Sequence, residues 1–403
     1  MDIHEGFLLN LYNYLLGVED INNNIIKKHI RKLDQLGEFS VNASVLARLN
    51  HCTDSDVSHI FESITTASRN WILPIAKCAT IRDTYHLYVD RPFTYKLVVS
   101  CVIKNGRGYG TCNLSLKQPL SVCTDLINEN VSTMSLSELR AILIKSVIDR
   151  LLSFSHSSAS NSNTVDINIT CKAKKGTPKG IVCAPVLSRE SNELKAVDLY
   201  NKRTIDMRLM AEHKYGLRVT SNSGWRDIFR KLGEAAVTIE ILQIKPNRPV
   251  ICNFNDFSSS CSKGASFILY NCARLATLLK EFQRKVELKS YPELPDLDKI
   301  DFSVLTQPEE WELAYGYLLQ FPTIINNCIK DIWECSIRIH NLCQHLSAMC
   351  SVFSVYYQRV RILTEPRNHL FPFLHARIYL IRCIETVLHN GLYILGIEPV
   401  SQM

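Results

Sequence analysis

The sequence predicts an α+β chain, with strands and helices mixed over the first 250 residues and an all-α bundle after them. Three observations carry this. Strand-like runs of β-branched and aromatic residues lie at 85–89, 95–102 and 165–171. From Ala265 to the end the apolar residues recur almost wholly at helical spacing. A polar stretch, Asn255 to Gly264, separates the two regimes. At roughly 100–200 residues per domain, 403 residues suggest two to three domains. We divide the chain at 1–130, 131–250 and 251–403.

Taken in order, residues 6–35 read as helix, because Phe7, Leu8, Leu11, Leu15 and Leu16 are followed by Ile25, Ile26, His29, Ile30 and Leu33. Residues 40–80 continue as helix. Tyr85, Leu87 and Val89, then Tyr95, Leu97, Val98, Val99 and Val102, predict strands. The run Gly106-Arg107-Gly108-Tyr109-Gly110 is read as a hairpin turn, since a phosphate-cradling loop needs a helix after it and a strand-like run follows here. Residues 133–153 are a clear helix, capped by Ser135 or Ser137. The Ser/Asn-rich run 153–164 reads as a linker. Residues 165–171 and 181–187 are strands around a basic turn, Lys172 to Gly180. Residues 194–214 are mixed, 225–232 a short helix, and 235–242 a strand or short helix. In the tail, helices are expected over 267–285, 308–321, 326–357 and 371–395. Thr306 should cap the second beside Pro308, and Gly396 should close the last.

Composition narrows the function. No run of eighteen apolar residues exists, and Met1-Asp2-Ile3-His4-Glu5 is acidic where a signal peptide is basic, so a cytoplasmic protein is expected. The 15 cysteines are odd in number, scattered, and never spaced C-x-x-C. They read as reduced, mostly buried thiols rather than a disulfide framework or a metal site. No cofactor is implied. The sequons at Asn113, Asn130 and Asn168 then carry no glycan. The net charge of +7 is uneven: residues 170–250 hold 16 basic and 8 acidic groups. Such a stretch is either a polyanion footprint or a solvated face.

The tail carries the motifs: Tyr270-Asn271-Cys272-Ala273-Arg274, then Pro308-Glu309-Glu310-Trp311, then Phe353-Ser354-Val355-Tyr356-Tyr357, then Ala376-Arg377 with Asn390-Gly391-Leu392, Gly396 and a final Met403. In this order they resemble the DALR-type anticodon-binding domain of arginyl-tRNA synthetases, over about residues 225–403. The resemblance makes the first 250 residues a remnant of a class I synthetase-like α/β region, with a degenerate, shortened middle at 131–250.

Class I synthetases bear an H-x-G-H signature at a helix start and a K-M-S-K-S loop, whose imidazoles and lysines stabilise transferring phosphates. Neither is present. Ser135 to Ala141 resembles the first helix without its histidines, and about thirty residues separate it from the turn Lys174 to Gly180. Aminoacylation is not expected. The segments 267–278 and 356–367 are similar to non-catalytic DALR-domain relatives of the synthetase. That resemblance implies an adaptor that binds the anticodon region of arginine tRNA and assists a tRNA 3-methylcytidine methyltransferase. A degenerate synthetase and a protein scaffold that no longer binds tRNA are the alternatives.

Unpaired bases are held by aromatic stacking and base-edge hydrogen bonds, and phosphates by Arg and Lys. Tyr356 and Tyr357 are adjacent on a helix, about 100° apart, so at most one faces fully inward. By resemblance Tyr357 is the stacking position; the alternative is a core aromatic. Arg359, Arg361 and Arg367 are candidate phosphate contacts. Arg377 and Arg274 match motif arginines, and each is either a ligand contact or a tie between helices. Met403 matches the family's terminal methionine. Lys174, Lys175 and Lys179 complete the expected tRNA-binding set. Cys335, Cys343 and Cys350 read as a core stripe rather than a metal site.

Overall fold

The computed structural model describes residues 3–17, 25–50, 54–111, 113–114, 120–124, 130–154, 156–157, 164–171, 180–189, 194–215, 224–255 and 264–402. Packing divides the chain into two compact units. The first is Met1–Gly106, Leu279–Thr323 and Val352–Thr386; the second is Arg107–Leu278, Ile324–Ser351 and Val387–Met403.

The first unit opens with α1 (Ile3–Leu16), which buries Phe7, Leu11 and Leu15. The helix expected to continue to residue 35 is instead β1 (Ile26–Lys28) followed by the short α2 (Leu33–Leu36). Then come β2 (Phe39–Asn42), α3 (Ala43–Asn50), α4 (Asp54–Ala67), β3 (Ile75–Ile81) and β4 (Thr84–Val89). The strands form one antiparallel sheet in the order β1-β2-β4-β3. The expected strand at 95–102 is the helix α5 (Arg91–Asn105). Asp90 caps it by accepting from Phe93 N at 3.0 Å, and Pro92 sits in its first turn. Tyr95, Val98, Val99 and Val102 are all buried, the spacing of a helical stripe that a run of β-branched residues disguises. Gly106, at φ +50°, ends this helix, so the glycine-rich run is a helix stop and not a hairpin.

The second unit begins with β5 (Asn113–Leu114), β6 (Leu120–Thr124) and α6 (Leu136–Phe154). Ser135 caps α6 as expected. Its Oγ accepts from Glu138 N at 3.3 Å, and its own N–H donates to Glu138 Oε2 at 2.7 Å. Next are β7 (His156–Ser157), β8 (Val165–Thr170), β9 (Gly180–Val182) and β10 (Val186–Ser188). β6, β8 and β9 form a parallel sheet. Most of the 153–164 run and all of Lys172 to Lys179 lie outside the described residues.

The expected mixed region is one helix, α7 (Ala196–Tyr215). The two short elements after it are one helix, α8 (Gly224–Leu242), paired against α7 through Gly233. A Cβ added there would stand 2.8 Å from Thr204 N. β11 (Val250–Cys252) pairs in parallel with β10. Leu136, Leu139, Val186, Leu199, Val237, Ile241 and Val250 form the core of this region.

The tail is helical as the periodicity predicts: α9 (Ala265–Glu287), α10 (Pro308–Trp311), α11 (Phe321–Ile329), α12 (Ile339–Arg359) and α13 (Phe371–Leu395). Gly396, at φ +74°, closes the last one. The helix expected over 308–321 is broken: a π-helical stretch, Glu312–Leu318, follows α10. Its cap is Gln307 rather than Thr306, with Gln307 N donating to Glu310 Oε2 at 2.9 Å. Residues 279–287 of α9, 352–359 of α12 and 371–386 of α13 belong to the first unit. No helix among the described residues is long and apolar enough to cross a membrane.

Candidate nucleic-acid interface

The candidate site is built where α12 ends in the first unit. A cavity of about 450 Å³ is lined by Gln307, Arg359, Val360, Arg361, Thr364, Glu365, Leu370 and Arg377. It is shallow and open to solvent. Val360 N still bonds to Tyr356 O at 2.9 Å as the helix finishes. The chain then turns through Glu365-Pro366-Arg367, and α13 returns with Arg377 facing the cavity.

The acidic pair of α10 fixes two of the arginines. Glu310 is fully buried. Its Oε1 accepts from Tyr356 OH at 2.8 Å and from Arg377 Nε at 2.9 Å, while Oε2 takes the Gln307 N–H. A buried carboxylate is tolerable only when paired and fully hydrogen-bonded, and this one is. Glu309 pairs with Arg359. Arg377 Nη1 also reaches Arg361 O at 3.4 Å, and its guanidinium lies 5.7 Å from the Phe373 ring. Arg361 and Arg367 share Glu365, at 3.4 and 2.8 Å, with side chains 72% and 64% exposed. Four guanidiniums therefore face three carboxylates, and the surplus sits on the most exposed group, Arg361. Thr364 is 93% buried, lines the cavity, and its hydroxyl has no partner among the described residues. A buried hydroxyl of this kind can take a hydrogen bond from a water or a bound group.

The structure brings together Arg359, Arg361 and Arg377 at the cavity, with Arg367 beside them through Glu365. Tyr357 is 41% exposed on the last turn of α12, its ring edge-on to Phe353 at 6.0 Å. Tyr356 is corrected: it is fully buried, and burial raises its hydroxyl well above the ordinary tyrosine range. Only one of two neighbours 100° apart reaches solvent, so Tyr356 supports the site from beneath and presents no ring to a base. Arg274 stacks on Tyr270 at 4.6 Å and donates to its hydroxyl at 3.0 Å, a tie within α9. Lys174, Lys175, Lys179 and Met403 lie outside the described residues.

The central basic stretch is a weaker footprint than its charge implied. Arg203 is fully buried between Glu240 at 2.7 Å and Asp206 at 3.0 Å. Arg208, Arg230 and Lys231 are paired with Glu212, Glu234 and Glu398 at 2.6–2.7 Å. The described cysteines are all free thiols, and no group of three His, Cys, Asp or Glu fit for a metal occurs among the described residues.

Sequence reasoning missed Thr364 and Gln307, and it read Glu309 and Glu310 only as motif letters. The spacing Gln307-x-x-Glu310 before an apolar run was the available signal for the capping pair. Nothing local marks Thr364.

Residues 268–403 match the model of the DALR anticodon binding domain, so the cavity lies inside that domain. The chain is 32% identical over 232 residues to DALR anticodon-binding domain-containing protein 3 of Danio rerio, covering 55% of this chain and 41% of that protein. To the protein of the same name in Mus musculus it is 31% identical over 231 residues, covering 56% and 43%. The chain thus spans less than half the length of these curated relatives. Thermus thermophilus arginyl-tRNA synthetase superposes with a TM-score of 0.67 over 100% of both chains at 9% identity. The fold is that of an arginyl-tRNA synthetase, class I-like α/β with a C-terminal helical DALR domain.

Proposed function

We propose that this chain, which carries a DALR domain on a synthetase-like fold, is a non-catalytic tRNA-binding adaptor. The cavity at the end of α12 takes an unpaired nucleotide of the anticodon loop of arginine tRNA. The observation that carries this is a cavity with three arginines at its wall and a buried, unpartnered Thr364 hydroxyl, inside the matched anticodon-binding domain. Arg361 and Arg367, held among the described residues by the shared Glu365, exchange it for phosphate oxygens. Arg377 is oriented by Glu310 and offers its remaining N–H groups. Tyr357, exposed on the last turn of α12, stacks a base. The further role, assisting a tRNA 3-methylcytidine methyltransferase in a cytoplasmic setting, extends the reading drawn from the family resemblance.

The test is titration of an arginine tRNA anticodon stem-loop into the wild type and into Tyr357→Ala with Arg361→Ala. Each stacking contact is worth roughly 1–3 kcal/mol, so the double variant should bind at least about tenfold more weakly. Equal affinity would remove the site from the end of α12. For the adaptor role, adding the chain to the methyltransferase should raise 3-methylcytidine in arginine tRNA, and the double variant should not. The paired state of Arg203, Arg208, Arg230 and Lys231 favours a second reading of the central region alone, as a scaffold that makes no RNA contact.

A further inference from the structure

The second unit gathers another set of cations around the start of α12. His340 stands in the first turn of that helix, 94% buried, and its Nδ1 has no partner among the described residues. Lys245 and Arg248 come from the loop between α8 and β11, and both are exposed. Arg338 precedes α12, anchored by its N–H to Cys328 O at 2.9 Å and by its guanidinium to Asp331 at 2.5 Å. Beneath the loop, the buried Arg140 donates to the carbonyls of Ile244, Lys245 and Arg248.

The charge balance is one-sided. Of the three cations Lys245, Arg248 and Arg338, only Arg338 has a carboxylate partner among the described residues, Asp331. The carbonyls of the loop point inward at Arg140, so the outer side of the loop offers cationic side chains. Asn341 N already donates to Arg338 O at 3.0 Å, the N–H groups ahead of it have no partner within the helix, and a helix of 21 residues carries about half a positive charge at that end. Burial first, and then the charges of Lys245, Arg338 and Arg248, lower the His340 imidazole below its ordinary value and so favour its neutral form. A neutral imidazole still has one N–H to give.

We propose that the start of α12, with Lys245, Arg248, Arg338 and His340, is a second anion site that binds a phosphate group. Helix N–H groups and the His340 ring take the oxygens, and the two loop cations close over them. The site is separate from the cavity at the other end of α12 and does not depend on its occupancy. The phosphate comes from an RNA backbone or from a small phosphorylated molecule; the chemistry of capture is the same.

The experiment follows the His340 ring-proton resonance of the full-length protein while inorganic phosphate is added, with chloride at equal ionic strength as the control. The resonance should move with phosphate and not with chloride. The movement should be lost in Lys245→Ala with Arg248→Ala, two exposed positions whose truncation leaves the core intact. No movement, or the same movement in the double variant, overturns the proposal. The source is then read from the salt dependence of RNA binding, which falls by about 0.9 in log–log slope per lost phosphate contact. A slope reduced by about 1–2 in the double variant identifies an RNA backbone. An unchanged slope with the phosphate response intact in the wild type identifies a small phosphorylated ligand. Arg361→Ala should leave the His340 response untouched. A wild type that binds no RNA yet shows the response would therefore sink the anticodon reading and leave this one standing.

Discussion

Glu310 decides what its neighbours can do. One carboxylate organises a tyrosine hydroxyl, a guanidinium and a helix cap, and two of those positions, Tyr356 and Arg377, look like binding residues when viewed alone. The Tyr356–Tyr357 pair separates the two roles cleanly. Tyr356→Phe removes one donor from a buried carboxylate, a change worth about 1.5–3 kcal/mol for hydrogen bonds to charged groups. Urea denaturation should show that loss directly, whereas Tyr357→Ala should leave the midpoint almost unmoved, because its ring is 41% exposed. A Tyr356→Phe protein as stable as the wild type would show that Glu310 finds its second partner elsewhere.

Among the elements, the join between α6, the β9–β10 connection and the end of α8 rests on Arg140. Its guanidinium donates to Ala184 O at 2.8 Å, Arg248 O at 2.7 Å, Ile244 O at 3.2 Å and Lys245 O at 2.7 Å. All four acceptors are neutral carbonyls, and three follow the C-terminus of α8, where the helix dipole favours a cation. Burial lowers the guanidinium pKa, yet it stays far above neutrality. Arg140→Met fills similar volume but takes the guanidinium from Ala184 O, Ile244 O and Arg248 O, while Lys245 O keeps the Arg248 N–H at 2.9 Å. At about 1–3 kcal/mol for each buried acceptor left without a donor, the variant should lose at least about 3 kcal/mol by chemical denaturation. A loss below about 1 kcal/mol would mean that water replaces the guanidinium there. α6 itself was legible from its capping box and apolar stripe. α5 was not, because Val98, Val99 and Val102 satisfy the strand pattern as well as the helical one, and Asp90 with Pro92 settled the matter.

For the molecule as a whole, buried and half-buried histidines among the described residues lower stability in acid. His4 is held down to about 3, mainly by burial and then by Lys28, and His29, His340, His375 and His389 are lowered by burial as well. The unfolded chain binds protons from about pH 6.5 downward while these native groups refuse them, so stability falls as pH drops below 6.5. Glu38, Glu312 and Glu385 act in the opposite sense. Burial raises them, so their contribution is complete at low pH and lost as pH rises through their native values. The two sets are separated by the variant His4→Phe, which keeps an aromatic ring stacked near Phe39 at the wild-type spacing of 6.1 Å. One pH unit below 6.5 the histidine costs about 1.4 kcal/mol, so the variant should be less sensitive to a change from pH 7.5 to 5.5 by that amount. Equal sensitivity in the two proteins would show that His4 protonates without cost.

The sequence by itself determined the helical tail, the order of its motifs and the arginines at the end of α12. Periodicity and motif order are local properties, written within single helices. Tertiary structure alone decided three things: that Tyr356 is buried and Tyr357 exposed, that Thr364 and Gln307 line the same cavity as Arg377, and that Arg203 is buried against Glu240, 37 residues away. Each depends on which face of an element meets another, and on pairs separated by ten to several tens of residues. No spacing within one helix records such pairs, because the free energy of burying or pairing a charge is set by the partner that packing delivers.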